Sequence, residues 1–130
     1  MEDIILIVDD EPELAAIMER ALRHHGFSVL TAGNGEQALA VAAGHEGSIS
    51  VLISDLVMPG MGGRELAWRF RQAYPGIKLI LCSGYADAGG ALQMVEDEGE
   101  VTFLEKPVEL RDLVSTVRQV LDTTPADLSP

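Results

Sequence analysis

The sequence predicts an α/β fold in which a doubly wound, five-stranded parallel sheet is covered by helices on both faces. Five apolar runs alternate with stretches of helical periodicity along the 130 residues. Three of the runs, IILIV, VLIS and LILC, are almost continuously apolar, which is typical of strands buried on both faces. Right-handed crossovers join such strands into one parallel sheet.

The predicted strands follow the five apolar runs in chain order. They cover residues 4–8, 28–31, 50–54, 78–82 and 101–104. Each contains at least one of Val, Ile or Thr, the β-branched residues that favour strands.

Four helices are predicted from apolar residues spaced three and four apart. Their apolar stripes lie within residues 14–22, 38–43, 66–74 and 110–121, and include Ile17 in the first stripe and Leu110 in the last. Gly26, Gly44 and Pro75 supply the stop signals of the first three helices. A weaker pattern over residues 87–99, with two glycines near its start, predicts a short additional helix.

Composition limits the classes of function. The chain has 9 Lys and Arg against 21 Asp and Glu, a net charge of −12, which argues against binding to nucleic acid or to an anionic membrane surface. The charge is compatible with a bound cation and with a basic protein partner. The single cysteine, Cys82, excludes an internal disulfide and favours a cytoplasmic location. No apolar run approaches the roughly 20 residues of a membrane-spanning helix.

The chain length predicts one domain with one core. We place that domain at residues 1–122. Residues 123–130 contain two prolines and small polar residues, and we interpret them as a C-terminal tail or the stump of a linker.

Polar side chains follow four of the predicted strands. Asp9 and Asp10 come after the first strand, Asp55 after the third, Ser83 after the fourth and Lys106 after the fifth. The carboxyl ends of parallel strands meet at one edge of a sheet, where ligands bind in folds of this kind. Adjacent carboxylates repel one another, and a hard divalent cation such as Mg²⁺ relieves that repulsion. The sequence therefore predicts a cluster of carboxylates at this edge that can bind a cation.

These motifs, taken together, resemble the receiver domain of response regulators in two-component signalling. They are the acidic pair after strand one, an Asp followed by MPG after strand three, a small hydroxyl residue after strand four and Lys-Pro after strand five. The resemblance covers roughly residues 4–121 and implies the flavodoxin-like (βα)5 fold with strand order 2-1-3-4-5. The segments MPGMGGREL and SGYA look most like the C-terminal receiver of a hybrid sensor histidine kinase, with a stand-alone single-domain regulator as the alternative.

The resemblance implies roles for individual residues. Asp55 would accept the phosphoryl group from a phosphohistidine of a histidine kinase or a histidine phosphotransfer domain. Asp10 would ligate Mg²⁺ directly, and Asp9 would hold a metal-bound water or ligate the ion itself. Asp55 and the backbone carbonyl of Val57 would complete the protein ligands. Such a protein catalyses its own phosphorylation and dephosphorylation, alone or as part of a hybrid kinase, which leaves its status as an enzyme open.

The same resemblance implies that Ser83 and Lys106 contact phosphoryl oxygens and that the Lys106–Pro107 bond is cis. Phe103 lies where the family has a switch aromatic, and a permanently buried core position is an equally good interpretation. Val57 and Tyr85 lie two residues after Asp55 and Ser83. Because Val57 cannot orient a water and Tyr85 is bulky, we expect a long-lived phosphorylated form.

The remaining candidates have simpler interpretations. Pro59, Gly60, Gly62 and Gly63 are expected to form only the turn after Asp55. We interpret Cys82 as an inert core thiol. We interpret Trp68 and the three histidines as structural or surface residues.

An alternative class is a phosphatase of the haloacid dehalogenase type, or another flavodoxin-like domain outside signalling. Such a phosphatase has Asp-x-Asp at its first strand, where this chain has Asp9 and Asp10 side by side. We expect a monomer or weak dimer, and the sequence leaves the cognate kinase and stimulus open.

Overall fold

The structure is a computed structural model that describes residues 3–45, 48–84 and 101–122. Five parallel strands form one sheet in the order β2-β1-β3-β4-β5, which confirms the predicted order. The strands are β1 Ile4–Val8, β2 Ser28–Ala32, β3 Val51–Asp55, β4 Lys78–Ser83 and β5 Thr102–Glu105. The predicted short helix at residues 87–99 lies outside the described residues.

Four helices connect and cover the strands in the described part of the chain. They are α1 Pro12–His24, α2 Gly35–Gly44, α3 Gly63–Ala73 and α4 Leu110–Asp122. Pro12 occupies the first turn of α1, where the missing N–H costs no hydrogen bond. The side chain of Asn34 caps α2 by accepting a hydrogen bond of 2.8 Å from the backbone N–H of Gln37.

Four of the five strands differ from the sequence prediction by one residue, two of them at one end and two at both ends. The third was predicted at 50–54 and runs from 51 to 55, because Asp55 still pairs with Cys82 of β4. The fourth extends to Ser83, which pairs with Glu105 of β5. Backbone pairing with the neighbouring strand decides where a strand ends, whereas the prediction relied on side-chain polarity. Asp55 therefore belongs to the end of the sheet itself and not to the loop that follows.

The sheet separates two apolar layers. Leu6 and Val8 of β1 point into the layer beneath α2 and α3, together with Phe70 of α3. Ile5 and Ile7 of the same strand point into the opposite layer, beneath α1 and α4. Every residue of β3 is buried, as the continuously apolar strand sequence predicted.

Two apolar residues do not lie where their spacing placed them. Ile17 of α1 is 51% exposed and Leu110 of α4 is 39% exposed, although both belong to the predicted buried stripes. Their helices lie on the same face of the sheet and bury Met18 and Leu113 instead. In the described part of the chain, no helix has the length and apolar character needed to cross a membrane.

Candidate functional site at the carboxyl edge of the sheet

The structure brings the three predicted carboxylates together. One carboxylate oxygen of each of Asp9, Asp10 and Asp55 lies within 4.8 Å of the others. Asp9 and Asp55 are buried, with 2% and 3% of their surface exposed, whereas Asp10 is exposed. The backbone N–H of Glu11 donates a hydrogen bond of 2.8 Å to Oδ1 of Asp9, which fixes the orientation of that carboxylate.

Lys106, the residue directly after β5, joins this cluster. Its Nζ lies 3.0 Å from Oδ1 of Asp55, and the lysine side chain is 34% exposed while that of Asp55 is 4% exposed. The backbone N–H of Lys106 donates a hydrogen bond of 2.9 Å to the carbonyl oxygen of Ser83, which ties the ends of β4 and β5 together. The Lys106–Pro107 peptide is cis, as the resemblance implied.

The charges in the cluster are not balanced. Burial raises the pKa of Asp55 from 3.8 to about 6; the hydrogen bond from Lys106 opposes the rise, and the charge of Asp9 adds to it. Partial burial works against the charge on Lys106, but the hydrogen bond and charge of Asp55 raise the pKa of the lysine overall. The positive charge of one ammonium group therefore does not fully neutralise the negative charge of the buried carboxylates. An all-oxygen donor set with excess negative charge suits a hard divalent cation such as Mg²⁺.

Ser83 ends β4 at the same edge and is buried. Val57, two residues beyond Asp55, has an exposed side chain with 61% of its surface accessible. Tyr85, the second position tied to the lifetime of the phosphorylated form, lies outside the described residues.

Beside Asp10 the surface forms a cavity of about 450 Å³ lined by residues 33–36 and 58–61. The cluster thus opens to solvent on the side of its one exposed carboxylate.

Gly63 has a role that sequence reasoning did not identify. It was expected to belong to the turn after Asp55, but it is the first residue of α3. A Cβ atom at this position would overlap the carbonyl oxygen of Asp55, and the Gly63 N–H donates a hydrogen bond of 2.8 Å to the carbonyl of Leu56. Glycine therefore lets α3 begin directly against the end of β3. The turn prediction itself fits Gly60, which has a φ of 76°.

The other candidates lie outside the cluster. Phe103 is half-buried and packs against the apolar layer beneath α2 and α3, which is compatible with either of its two interpretations. Cys82 is buried in β4, and burial raises the pKa of its thiol to about 12, as expected for an inert core cysteine. Trp68, His24 and His25 are exposed.

Comparisons with known proteins agree with this geometry. The family model described as "Response regulator receiver domain" matches residues 5–118. The chain is 36% identical over 118 residues to the "Sensor kinase CckA" of Brucella abortus (strain 2308), an alignment that covers 91% of this chain and 12% of that protein. It is 32% identical over 126 residues to the "Probable transcriptional regulatory protein TcrX" of Mycobacterium tuberculosis, covering 92% of this chain and 50% of that protein. The chain thus spans half or less of the length of these relatives.

Solved structures give the same picture. A receiver domain protein from Clostridium thermocellum superimposes with a TM-score of 0.85 at 28% identity, covering 92% of this chain and 94% of that chain. The receiver domain of the hybrid histidine kinase CckA gives a TM-score of 0.74 at 34% identity, covering 91% of this chain and 98% of that chain. These matches give no support to the haloacid dehalogenase alternative.

Proposed function

Because the chain belongs to the response regulator receiver domain family of two-component signalling, we propose that its phospho-accepting switch is centred on Asp55. The observation that carries this proposal is the buried Asp55 carboxylate, held 3.0 Å from the Lys106 ammonium group with Asp9 and Asp10 beside it. A carboxylate is an established nucleophile for phosphoryl transfer. Asp55 is also the carboxylate of the cluster that lies at the end of the central, fully buried strand.

The proposed reaction transfers a phosphoryl group from a phosphohistidine of a histidine kinase or a histidine phosphotransfer domain. A carboxylate oxygen of Asp55 forms the new bond to phosphorus while the bond from phosphorus to the imidazole nitrogen breaks. The electron pair of that bond returns to the imidazole nitrogen, and the product on this chain is an acyl phosphate. The Lys106 ammonium group then has a phosphoryl oxygen as a partner, and the Ser83 hydroxyl donates a hydrogen bond to another phosphoryl oxygen.

Mg²⁺ would be held at this edge of the sheet by the carboxylates of Asp9, Asp10 and Asp55 and the backbone carbonyl of Val57. The fit rests on the all-oxygen donors of the three carboxylates, whose oxygens lie within one cluster of 4.8 Å. When bound, the ion supplies positive charge next to the phosphoryl oxygens. The residues themselves align the acceptor, since the Glu11 N–H fixes Asp9 and Lys106 fixes Asp55.

We further propose that the chain acts as the receiver of a hybrid histidine kinase, with a single-domain regulator as the alternative. The similarity to the sensor kinase CckA supports this assignment. A domain over residues 1–122, a monomeric or weakly dimeric state and a cytoplasmic location all stay predictions.

Incubating the protein with acetyl phosphate and Mg²⁺ and then measuring its intact mass tests the proposal. The expected result is the gain of one phosphoryl group, which is absent in Asp55→Asn and in the presence of EDTA. Asp122→Asn is a matched control, because it removes an exposed carboxylate at the end of α4, beside Lys78 and Thr102 at the opposite edge of the sheet. Equal labelling of the Asp55→Asn variant and the wild type would show that the acceptor is elsewhere.

A further inference from the structure

Ser54 is a buried polar residue that the proposed transfer reaction does not use. It lies directly before Asp55 in β3 and leaves 1% of its surface in solvent. Its hydroxyl donates a hydrogen bond of 2.9 Å to the backbone carbonyl of Asp55. The sulfur of Met58 lies farther from the hydroxyl, at 3.9 Å, and a thioether is a weak acceptor, so the single hydroxyl proton goes to the carbonyl. Ser54 therefore holds the main chain of the residue proposed to accept the phosphoryl group.

The carbonyl of Asp55 lies beyond the pairing of β3 with β1. The N–H of the same peptide, which belongs to Leu56, donates a hydrogen bond of 2.9 Å to the carbonyl of Cys82 in β4. A trans peptide points its carbonyl the opposite way, toward β1. The pairing with β1 ends one residue earlier, where Ser54 is paired with Val8. A buried carbonyl without a hydrogen bond is costly, and here the Ser54 side chain supplies the bond that the neighbouring strand does not.

Hydrogen bonds hold the successive peptides that lead away from Asp55. Ser54 holds the carbonyl of Asp55, and the backbone of β4 holds the N–H of Leu56. The carbonyl of Leu56 accepts a hydrogen bond of 2.8 Å from the N–H of Gly63, at the start of α3. The next carbonyl along the chain is that of Val57, the proposed backbone ligand of the metal. Of these three hydrogen bonds, the one from Ser54 comes from a side chain, so a substitution there can remove it.

From this arrangement we propose that Ser54 is a positioning residue of the phosphoryl-acceptor site. Its hydroxyl sets the plane of the peptide between Asp55 and Leu56, and that plane fixes how the Asp55 carboxylate lies relative to the Val57 carbonyl. Side chains of successive strand residues point to opposite faces, so the Ser54 hydroxyl acts through the main chain and not by contact with the phosphoryl group. The inference rests on the proposed function and deepens it, because it concerns the alignment of the same site.

A purely structural role for Ser54 makes a different prediction from a positioning role. In the structural case Ser54→Ala would lower the free energy of unfolding and leave metal binding and labelling of the folded protein unchanged. In the positioning case Ser54→Ala should raise the Mg²⁺ dissociation constant about fivefold in isothermal titration calorimetry. It should also slow labelling by acetyl phosphate about fivefold at saturating Mg²⁺, as followed by intact mass. The N–H of Leu56 should exchange with solvent about tenfold faster, as followed by NMR.

Two further variants separate the hydroxyl from the strand that carries it. Ser54→Thr keeps the hydroxyl and should have a Mg²⁺ dissociation constant and a labelling rate within about twofold of the wild type. Ser50→Ala removes a hydroxyl just before the other end of β3, where it accepts a hydrogen bond of 3.3 Å from the N–H of Ile4. This control should leave all three measurements unchanged. Thermal melts should show that each variant is folded at the temperature of the assays.

Three outcomes would overturn the proposal. Unchanged Mg²⁺ affinity and labelling rate in Ser54→Ala would show that the site does not need the hydroxyl. Equal impairment of Ser54→Thr and Ser54→Ala would show that the size of the side chain matters instead. Equal impairment of Ser50→Ala would trace the effect to a general weakening of β3. Failure of the proposed function looks different, since the wild type itself would then gain no phosphoryl group, while Mg²⁺ affinity and Leu56 exchange would still decide the role of Ser54.

Discussion

The stability of the metal-free protein should depend on the ionisation of Asp55. Its pKa is about 6 in the folded protein against an ordinary 3.8, so the folded state holds this proton more tightly than the unfolded chain. The free energy of unfolding should therefore fall as the pH rises from about 4 to about 6, and remain reduced above that range. A difference of roughly two pKa units corresponds to ~3 kcal/mol.

Asp55→Asn removes this charge while keeping the shape of the side chain. In EDTA at pH 7 the variant should be more stable than the wild type by about 1–3 kcal/mol, and near pH 4 the two should converge. Urea unfolding at both pH values measures the difference. Mg²⁺ should make the wild type the more stable of the two proteins. Each tenfold rise in Mg²⁺ concentration above the dissociation constant adds ~1.4 kcal/mol to the free energy of unfolding of the wild type.

Asp122→Asn is again the control, since it removes an exposed carboxylate at the opposite edge of the sheet and should change the pH dependence little. The reasoning is refuted if Asp55→Asn is less stable than the wild type at pH 7 in EDTA. It is equally refuted if the wild-type loss of stability between pH 4 and pH 6 persists unchanged in the variant.

Other substitutions test separate parts of the site. Gly63→Ala should lower the free energy of unfolding in urea by about 2–4 kcal/mol because its methyl group meets the Asp55 carbonyl, whereas Gly44→Ala, in open space, should be neutral or stabilising. Lys106→Met should slow labelling by acetyl phosphate roughly 100-fold, as followed by intact mass, and an unchanged rate would remove Lys106 from the transfer step. Val57→Asn should speed acyl-phosphate decay several-fold by orienting water, and no acceleration would contradict the lifetime hypothesis.

The sequence was sufficient to predict the sheet and the meeting of the site residues. Continuous apolar runs mark buried parallel strands, and parallel strands bring their carboxyl ends to one edge, so Asp9, Asp55 and Lys106 had to converge. The strand order came from the resemblance to receiver domains, since hydrophobic patterning does not specify which strands are neighbours.

Other features depend on contacts between distant segments. The end of β3 at Asp55 depends on pairing with Cys82, which no local pattern reveals. The role of Gly63 depends on how closely α3 approaches that strand end. Periodicity placed Ile17 in a buried stripe, but it could not show that the gap between α1 and α4 leaves this residue half in solvent.

The side-chain cluster at the strand ends and the outer surfaces of the helices are separate parts of this molecule. The side chains of Asp9, Asp55 and Lys106 meet at the sheet edge, whereas the groove between α1 and α4 is lined by the exposed sides of these two helices. Substitutions on those helix surfaces would leave the two carboxylates and the ammonium group in place. The outer faces of the helices can therefore change in sequence independently of the cluster, whether by design or after gene duplication.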